Sequence, residues 1–215
     1  LSGQIVWCWV ASVFVLITGF PLLSCHPTDP GAVVPAPAAA RIGLTGRLRA
    51  LLDRPPGLVH AKGGDGCRPL HFSREVETAR LLLERGAELD PKDDDHDSTP
   101  AQWRIGDAPD VTRFLLQQGA QADIFMAAGL GDLGLAGRLV SDNPACTTYR
   151  IGHNKGPFPG IGFQKRGGTI YQWTLGFNQS PHEIAHRCGY REVFDLLMLH
   201  TPPRQQLLVA CMLAD

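Results

Sequence analysis

The pair Gly86-Ala87 recurs 33 residues later as Gly119-Ala120, and each copy closes a leucine-rich amphipathic stretch, Ala79-Arg80-Leu81-Leu82-Leu83-Glu84-Arg85 and Thr112-Arg113-Phe114-Leu115-Leu116-Gln117-Gln118. A period of this size predicts stacked helix-turn-helix units, because one such unit cannot bury its apolar face alone and must lean on its neighbours. Glycine at the end of each leucine-rich helix supplies the positive φ that stops the helix, and the alanine beside it lets the next unit approach closely. A longer recurrence runs beneath the first. Ala39-Ala40-Arg41-Ile42-Gly43 is answered 88 residues on by Ala127-Ala128-Gly129-Leu130-Gly131, and Asp53-Arg54-Pro55-Pro56 by Ser141-Asp142-Asn143-Pro144 at the same offset. The pattern reads as a tandem of two-repeat units.

The helix openings point the same way. Arg68-Pro69-Leu70-His71, Ser98-Thr99-Pro100-Ala101 and Ser180-Pro181-His182-Glu183-Ile184-Ala185 are variants of one theme. A Ser or Thr oxygen caps the helix, Pro occupies the first helical position where no donor is needed, and the next apolar residue enters the core. With the period, these openings make the chain resemble the ankyrin repeat family in a divergent, bacterial-type form. The resemblance implies an all-α solenoid with short hairpin fingers between repeats. It also implies that His71, the only histidine kept in its place, bonds the neighbouring repeat. We count about five full repeats, starting near residues 35, 67, 98, 122 and 179, and a partial sixth from about Gln205. The apolar start Leu207-Leu208-Val209-Ala210-Cys211 carries no second helix, so Asp215 is not expected to be the natural C-terminus. The helix after Pro69 is expected to be about one turn short.

Residues 1–34 read as a separate segment, an apolar run followed by a tether, and residues 35–215 as the array. Ile5 to Leu23 is almost unbroken apolar sequence, followed by Leu22-Leu23-Ser24-Cys25, similar to a weak lipobox, and by a Pro/Ala-rich stretch. Two readings stay open. Either the segment exports the repeats and anchors them through lipid on Cys25, or it is a misread gene start and the repeats are cytoplasmic. No Lys or Arg precedes Arg41, so the basic opening of an export signal is missing, and the two readings stay level. A formal net charge of −1 argues against nucleic acid as the main partner, since phosphate binding needs a basic surface. The cysteines of the repeats show no paired spacing and read as small buried packing residues.

The function the resemblance implies is protein–protein interaction without catalytic residues or cofactor. Its inner helices and finger tips line a concave surface, which by position puts His96, Ser98, Trp103 and Arg104 forward as partner-binding residues. The connection from Asn143 to Ser180 is far longer than a finger, and we bound the inserted loop at residues 146–178. The connection holds Lys155, Lys165, Arg166, Phe158, Phe163, Tyr171, Trp173 and Phe177 and no acidic residue. A loop of this length is functional or packs back on the array. Tyr171 and Trp173 join the candidate binding set, and the alternation of Ile170-Tyr171-Gln172-Trp173-Thr174-Leu175 predicts a short strand with its aromatics on one side. The acidic run Asp90 to Asp97 lacks calcium-loop spacing and reads as a solvated turn.

One rival reading is a zinc-dependent hydrolase or metal-binding protein. His182-Glu183-Ile184-Ala185-His186 matches H-E-x-x-H, in which two histidines one turn apart hold the metal and the glutamate activates its water, with Glu192 at the third-ligand position. The repeat frame explains the same residues as core, turn and helix, and nothing upstream reads as the strands a zinc hydrolase needs.

Overall fold

The computed structural model describes residues 45–53, 57–152, 160–161 and 167–214. The first repeat's opening, Ile5 to Leu23 and Cys25 lie outside these, as do Lys155, Phe158, Phe163, Lys165 and Arg166 of the insertion. The chain is mostly helical. Its helices are α1 (Thr45–Leu52), α2 (Val76–Glu84), α3 (Pro100–Arg104), α4 (Pro109–Gln117), α5 (Ile124–Leu130), α6 (Leu133–Asp142), α7 (Pro181–Arg187), α8 (Arg191–Leu199) and α9 (Pro203–Leu213). The only strands among the described residues, β1 (Arg150–Ile151) and β2 (Gly160–Ile161), pair in parallel with Arg150 opposite Gly160.

The helices come in pairs joined by short turns. A one-turn 3-10 helix at Pro69–Phe72 precedes α2, so the opening helix of that pair is cut short as its sequence suggests. Then follow α3 with α4, α5 with α6, and α7 with α8. First helices pack on first helices, as α5 on α7 and α7 on α9, and second on second, as α1 on α2, α2 on α4 and α6 on α8. One continuous core runs through these pairs, centred on Leu48, Leu70, Leu82, Leu115, Phe125, Ile184 and Leu197, all essentially without solvent exposure.

The local chemistry explains the boundaries. Gly86 and Gly119 take φ of 87° and 98°. The next residue then returns its N–H five positions back, Ala87 to the Leu82 carbonyl at 2.9 Å and Ala120 to Leu115 at 3.0 Å. This closure satisfies carbonyls that the helix end would otherwise leave open. Helix starts are capped as well. Thr99 and Gln102 bond each other's backbone N–H, as do Ser180 and Glu183, and Pro100 and Pro181 take the first helical position. Asp123 caps α5 through the Phe125 and Met126 N–H groups at 2.9 and 3.0 Å.

Three expectations need correction. No strand ladder forms the finger at 90–98: a single Asp93 N–H to Ser98 carbonyl bond at 3.1 Å spans it, and the Asp94 and Asp95 N–H groups bond the Asp65 carbonyl of the preceding finger. The acidic run is no solvated turn throughout, because Asp93 is buried and satisfied by backbone donors. Cys67 and Cys146 are buried, and burial pushes the Cys146 thiol up to about 11, whereas Cys188 and Cys211 are exposed and do not pack as foreseen.

Candidate functional site

The insertion leaves the array after Cys146 and returns at Ser180, and its roots are tied together. The Ile151 N–H bonds the Gln179 carbonyl and the Asn178 N–H bonds the Ile151 carbonyl, both at 3.0 Å. Arg150, beside this junction, bonds Glu183 at 3.0 Å, which fixes the roots to the start of α7. Ile170 to Leu175 is not the predicted strand. It coils into a turn and a single π-helical stretch, Gln172–Gly176, with the Trp173 and Thr174 N–H groups bonding the Ile170 carbonyl at 2.9 and 3.1 Å. Coiling breaks the alternation that an extended segment would impose. Tyr171 therefore turns inward and is fully buried, while Trp173 is 71% and Phe177 53% exposed.

The inward side docks on two helix pairs. Tyr171 packs its ring 5.9 Å from that of Phe125, and its hydroxyl donates to Asp123 Oδ2 at 2.8 Å. Gln102 of α3 reaches the same oxygen at 3.3 Å. Burial pushes the Asp123 carboxyl up, against the four bonds it accepts, and burial beside Asp123 pushes the Tyr171 phenol well up. Thr174 lies against Gly106 so closely that a β-carbon there would meet the Thr174 carbonyl oxygen at 3.1 Å.

The insertion also meets the finger. The Thr169 hydroxyl bonds the His96 carbonyl, and the Ile170 N–H bonds Ser98 Oγ at 3.3 Å. Beneath them Asp93 organises the turn, its Oδ2 accepting from the His96 N–H and Nδ1 at 2.8 and 2.9 Å and its Oδ1 from the Ser98 N–H at 2.7 Å. Burial alone would raise the Asp93 carboxyl, but the bonds from His96 and Ser98 hold it below its ordinary value. The same bond from Asp93, outweighing desolvation, raises His96, with Asp95 at 3.7 Å and Asp65 adding to it. Trp103 stands edge-on to His96, ring centres 5.2 Å apart.

The candidate partner-binding residues thus divide. Ser98, Arg104 and Tyr171 are buried; Ser98 and Tyr171 hold the finger and insertion in place, whereas Arg104 bonds Asp107 at 3.2 Å beyond the end of α3. His71 sits beneath the same finger, its Nδ1 accepting from the Arg68 N–H at 3.0 Å and its Nε2 bonding the Ser98 carbonyl at 3.2 Å. His96 and Trp103 are half-buried, and Trp173 is open to solvent. Sequence reasoning passed over Asp93, Asp123 and Thr169. Asp123, directly ahead of an apolar helix, carried a legible cap signal, whereas Asp93 was masked by the acids around it.

The His96–Asp93 pair sets a pH dependence. A histidine raised on folding contributes stability that is complete below the ordinary value of about 6.5 and is lost as pH rises through the raised value. Hydrogen exchange at the Ser98 and Ile170 amides, corrected for intrinsic rates, should lose protection as pH rises above about 6.5 and through the raised value, relative to α8 amides. In His96→Gln that slope should flatten. Protection independent of pH in the parent protein would contradict this reading.

The H-E-x-x-H run does not assemble a metal centre among the described residues, where no group of three or more His, Cys, Asp or Glu side chains converges. The Thr201 hydroxyl donates to the Leu197 carbonyl at 2.7 Å and so accepts from His182 Nε2 at 2.9 Å, which puts the imidazole proton on Nε2. Burial pushes His182 down to about 4, and its ring packs edge-on against Phe194. His186 is exposed with its ring 5.8 Å from that of Phe194, Glu192 is exposed on α8, and Glu183 is held by the Ser180 N–H and Arg150. Core packing accounts for His182 and the helix cap for Glu183.

No helix among the described residues is long and apolar enough to cross a membrane. No known family model matches the chain, and no curated relative matches it.

Proposed function

We propose that the chain is a divergent ankyrin-repeat scaffold that captures a protein partner and carries out no reaction of its own. Three features support the repeat assignment: helix pairs stacked first on first and second on second, the 33-residue recurrence of one glycine closure, and the bond from His71 to Ser98 of the next opening at 3.2 Å. The observation that carries the binding reading is the placement of Trp173. An indole 71% exposed is held on a segment whose neighbour Tyr171 is fully buried. A rigidly seated, exposed aromatic loses little freedom on binding and is the side chain most often found to dominate interfaces. Half-buried His96 of the finger and Trp103 of α3 form a second, recessed aromatic pair.

The test is capture of partner by the immobilised protein, followed by affinity measurement with the purified partner. Trp173→Ala should weaken affinity by about 2 kcal/mol or more while leaving the helical signal intact. Trp103→Ala should weaken it less and cost some stability, because that ring also packs on Phe72 at 6.2 Å. A partner bound equally by the parent protein and Trp173→Ala would refute the assignment of the site.

A further inference from the structure

The coiled stretch that presents Trp173 is tied at its far end as well as at its root. Tyr171 and Leu175, about one turn apart, are buried, and Leu175 lies over Gly129, where an added β-carbon would meet its Cδ2 at 3.5 Å. Trp173 is left facing outward between them. The Leu175 carbonyl, two residues beyond Trp173, accepts from the Arg187 guanidinium at 2.6 Å, and Arg187 also donates to Gln179 Oε1 at 2.9 Å. Gly176, at φ 105°, lets the chain turn close beside them: a β-carbon there would meet Gln179 Cγ at 3.0 Å.

Both of these acceptors are neutral. A guanidinium carries its N–H donors in a rigid fork, so two neutral acceptors fix its direction without cancelling its charge or using all its donors. Arg187 is exposed at the end of α7, and among the described residues no carboxylate lies within ion-pair distance of it. Arg150, by contrast, pairs with Glu183, and Arg74 and Arg104 both pair with Asp107. The insertion adds no negative charge of its own, since the sequence from Asn143 to His182 contains no Asp or Glu.

We infer that Trp173 and Arg187 act as one recognition element and that the protein partner is held through an acidic segment: an apolar side chain covers the indole, and a neighbouring Asp or Glu carboxylate bonds the Arg187 fork. This rests on the scaffold reading above and adds to it the chemistry of the partner. Charge selects the occupant. A carboxylate supplies the counter-ion that Arg187 lacks and matches the planar fork with parallel N–H bonds, whereas a basic segment is repelled and a neutral one leaves the cation unmatched. A phosphate would also satisfy Arg187, but a chain of formal net charge −1 offers a nucleic acid no basic surface to follow. Both groups are seated on the array before the partner arrives, which limits the freedom lost on binding.

Selection of displayed short random peptides on the immobilised full chain tests the inference. The parent protein should enrich peptides that set Asp or Glu beside Leu, Met, Phe or Trp. Arg187→Gln should lose the acidic preference and keep the apolar one, Arg187→Lys should keep both, and Trp173→Ala should enrich neither. By fluorescence anisotropy, a synthetic enriched peptide should bind Arg187→Gln about threefold or more weakly than the parent. Exchanging its carboxylate for the amide should then change little in Arg187→Gln, because the two substitutions remove one interaction. Added salt should weaken the parent complex more than the Arg187→Gln complex. Peptides enriched through Trp173 without an acidic residue, or an acidic preference that survives Arg187→Gln, would overturn the inference and leave the scaffold reading standing. Absence of any enrichment that depends on Trp173 would overturn both. Tighter binding of a single-stranded oligonucleotide through the same two residues would overturn it in favour of nucleic acid.

Discussion

Tyr171→Ala is expected to lower the stability of the whole protein by about 3 to 5 kcal/mol, the range for emptying a buried aromatic site. The residue sits in a loop, where substitutions are ordinarily tolerated, yet it behaves as core: it has no solvent exposure, and it touches Phe125 and Asp123. Two losses combine. The ring leaves a cavity between the insertion and α5, and Asp123 loses the donor that best compensates its burial. Tyr171→Phe separates the two, because it keeps the ring and should cost only about 1 to 3 kcal/mol for the lost bond to a buried carboxyl. Urea denaturation measures both, and exchange at the Ile170 amide reports whether the insertion has left the finger. A Tyr171→Ala protein as stable as the parent would mean that the insertion rests on the array without belonging to it.

Leu82→Ala should cost about 2 to 5 kcal/mol. Leu82 is fully buried in α2, the second helix of its pair, which packs between α1 and α4. Where helix pairs couple only to their neighbours, such a loss is shared along the stack and decays with distance. Amides of α1 and α4 should therefore lose more protection than those of α8. A loss confined to α2 would argue against nearest-neighbour coupling, and an unchanged denaturation midpoint would contradict the helix register.

The same two residues show what was legible beforehand. Leu82 was readable because a helix's buried side repeats every three to four residues and its closing glycine fixes the frame, so period and stop signal agree. Tyr171 was not, because the short run from Ile170 to Leu175 alternates like a strand while its conformation is decided by contacts with Ser98, Gly106 and Asp123, some 48 to 72 residues away. Tertiary contacts overrode the local pattern, and with it went the expectation that Trp173 would share the side of Tyr171. Asp93 failed for a related reason. Nothing in a run of acids says which one will be drawn inward, since the choice depends on the turn that presents the His96 and Ser98 N–H groups to it. The spacing of His182 and His186, which the rival metal reading used, arises where a core position and an exposed position fall one turn apart on α7.

The tied roots of the insertion make it a cassette. The backbone is pinned at Ile151 by the exchange with Asn178 and Gln179, and again from Thr169 to Tyr171 by the finger and Asp123. Whatever lies between residues 152 and 167 thus begins and ends at fixed points on the array, and doubling its length would add only about 0.6 kcal/mol of closure entropy. A change of length there leaves the two junctions where Ile151 and Tyr171 hold them, and the helices on either side keep their own caps and closing turns.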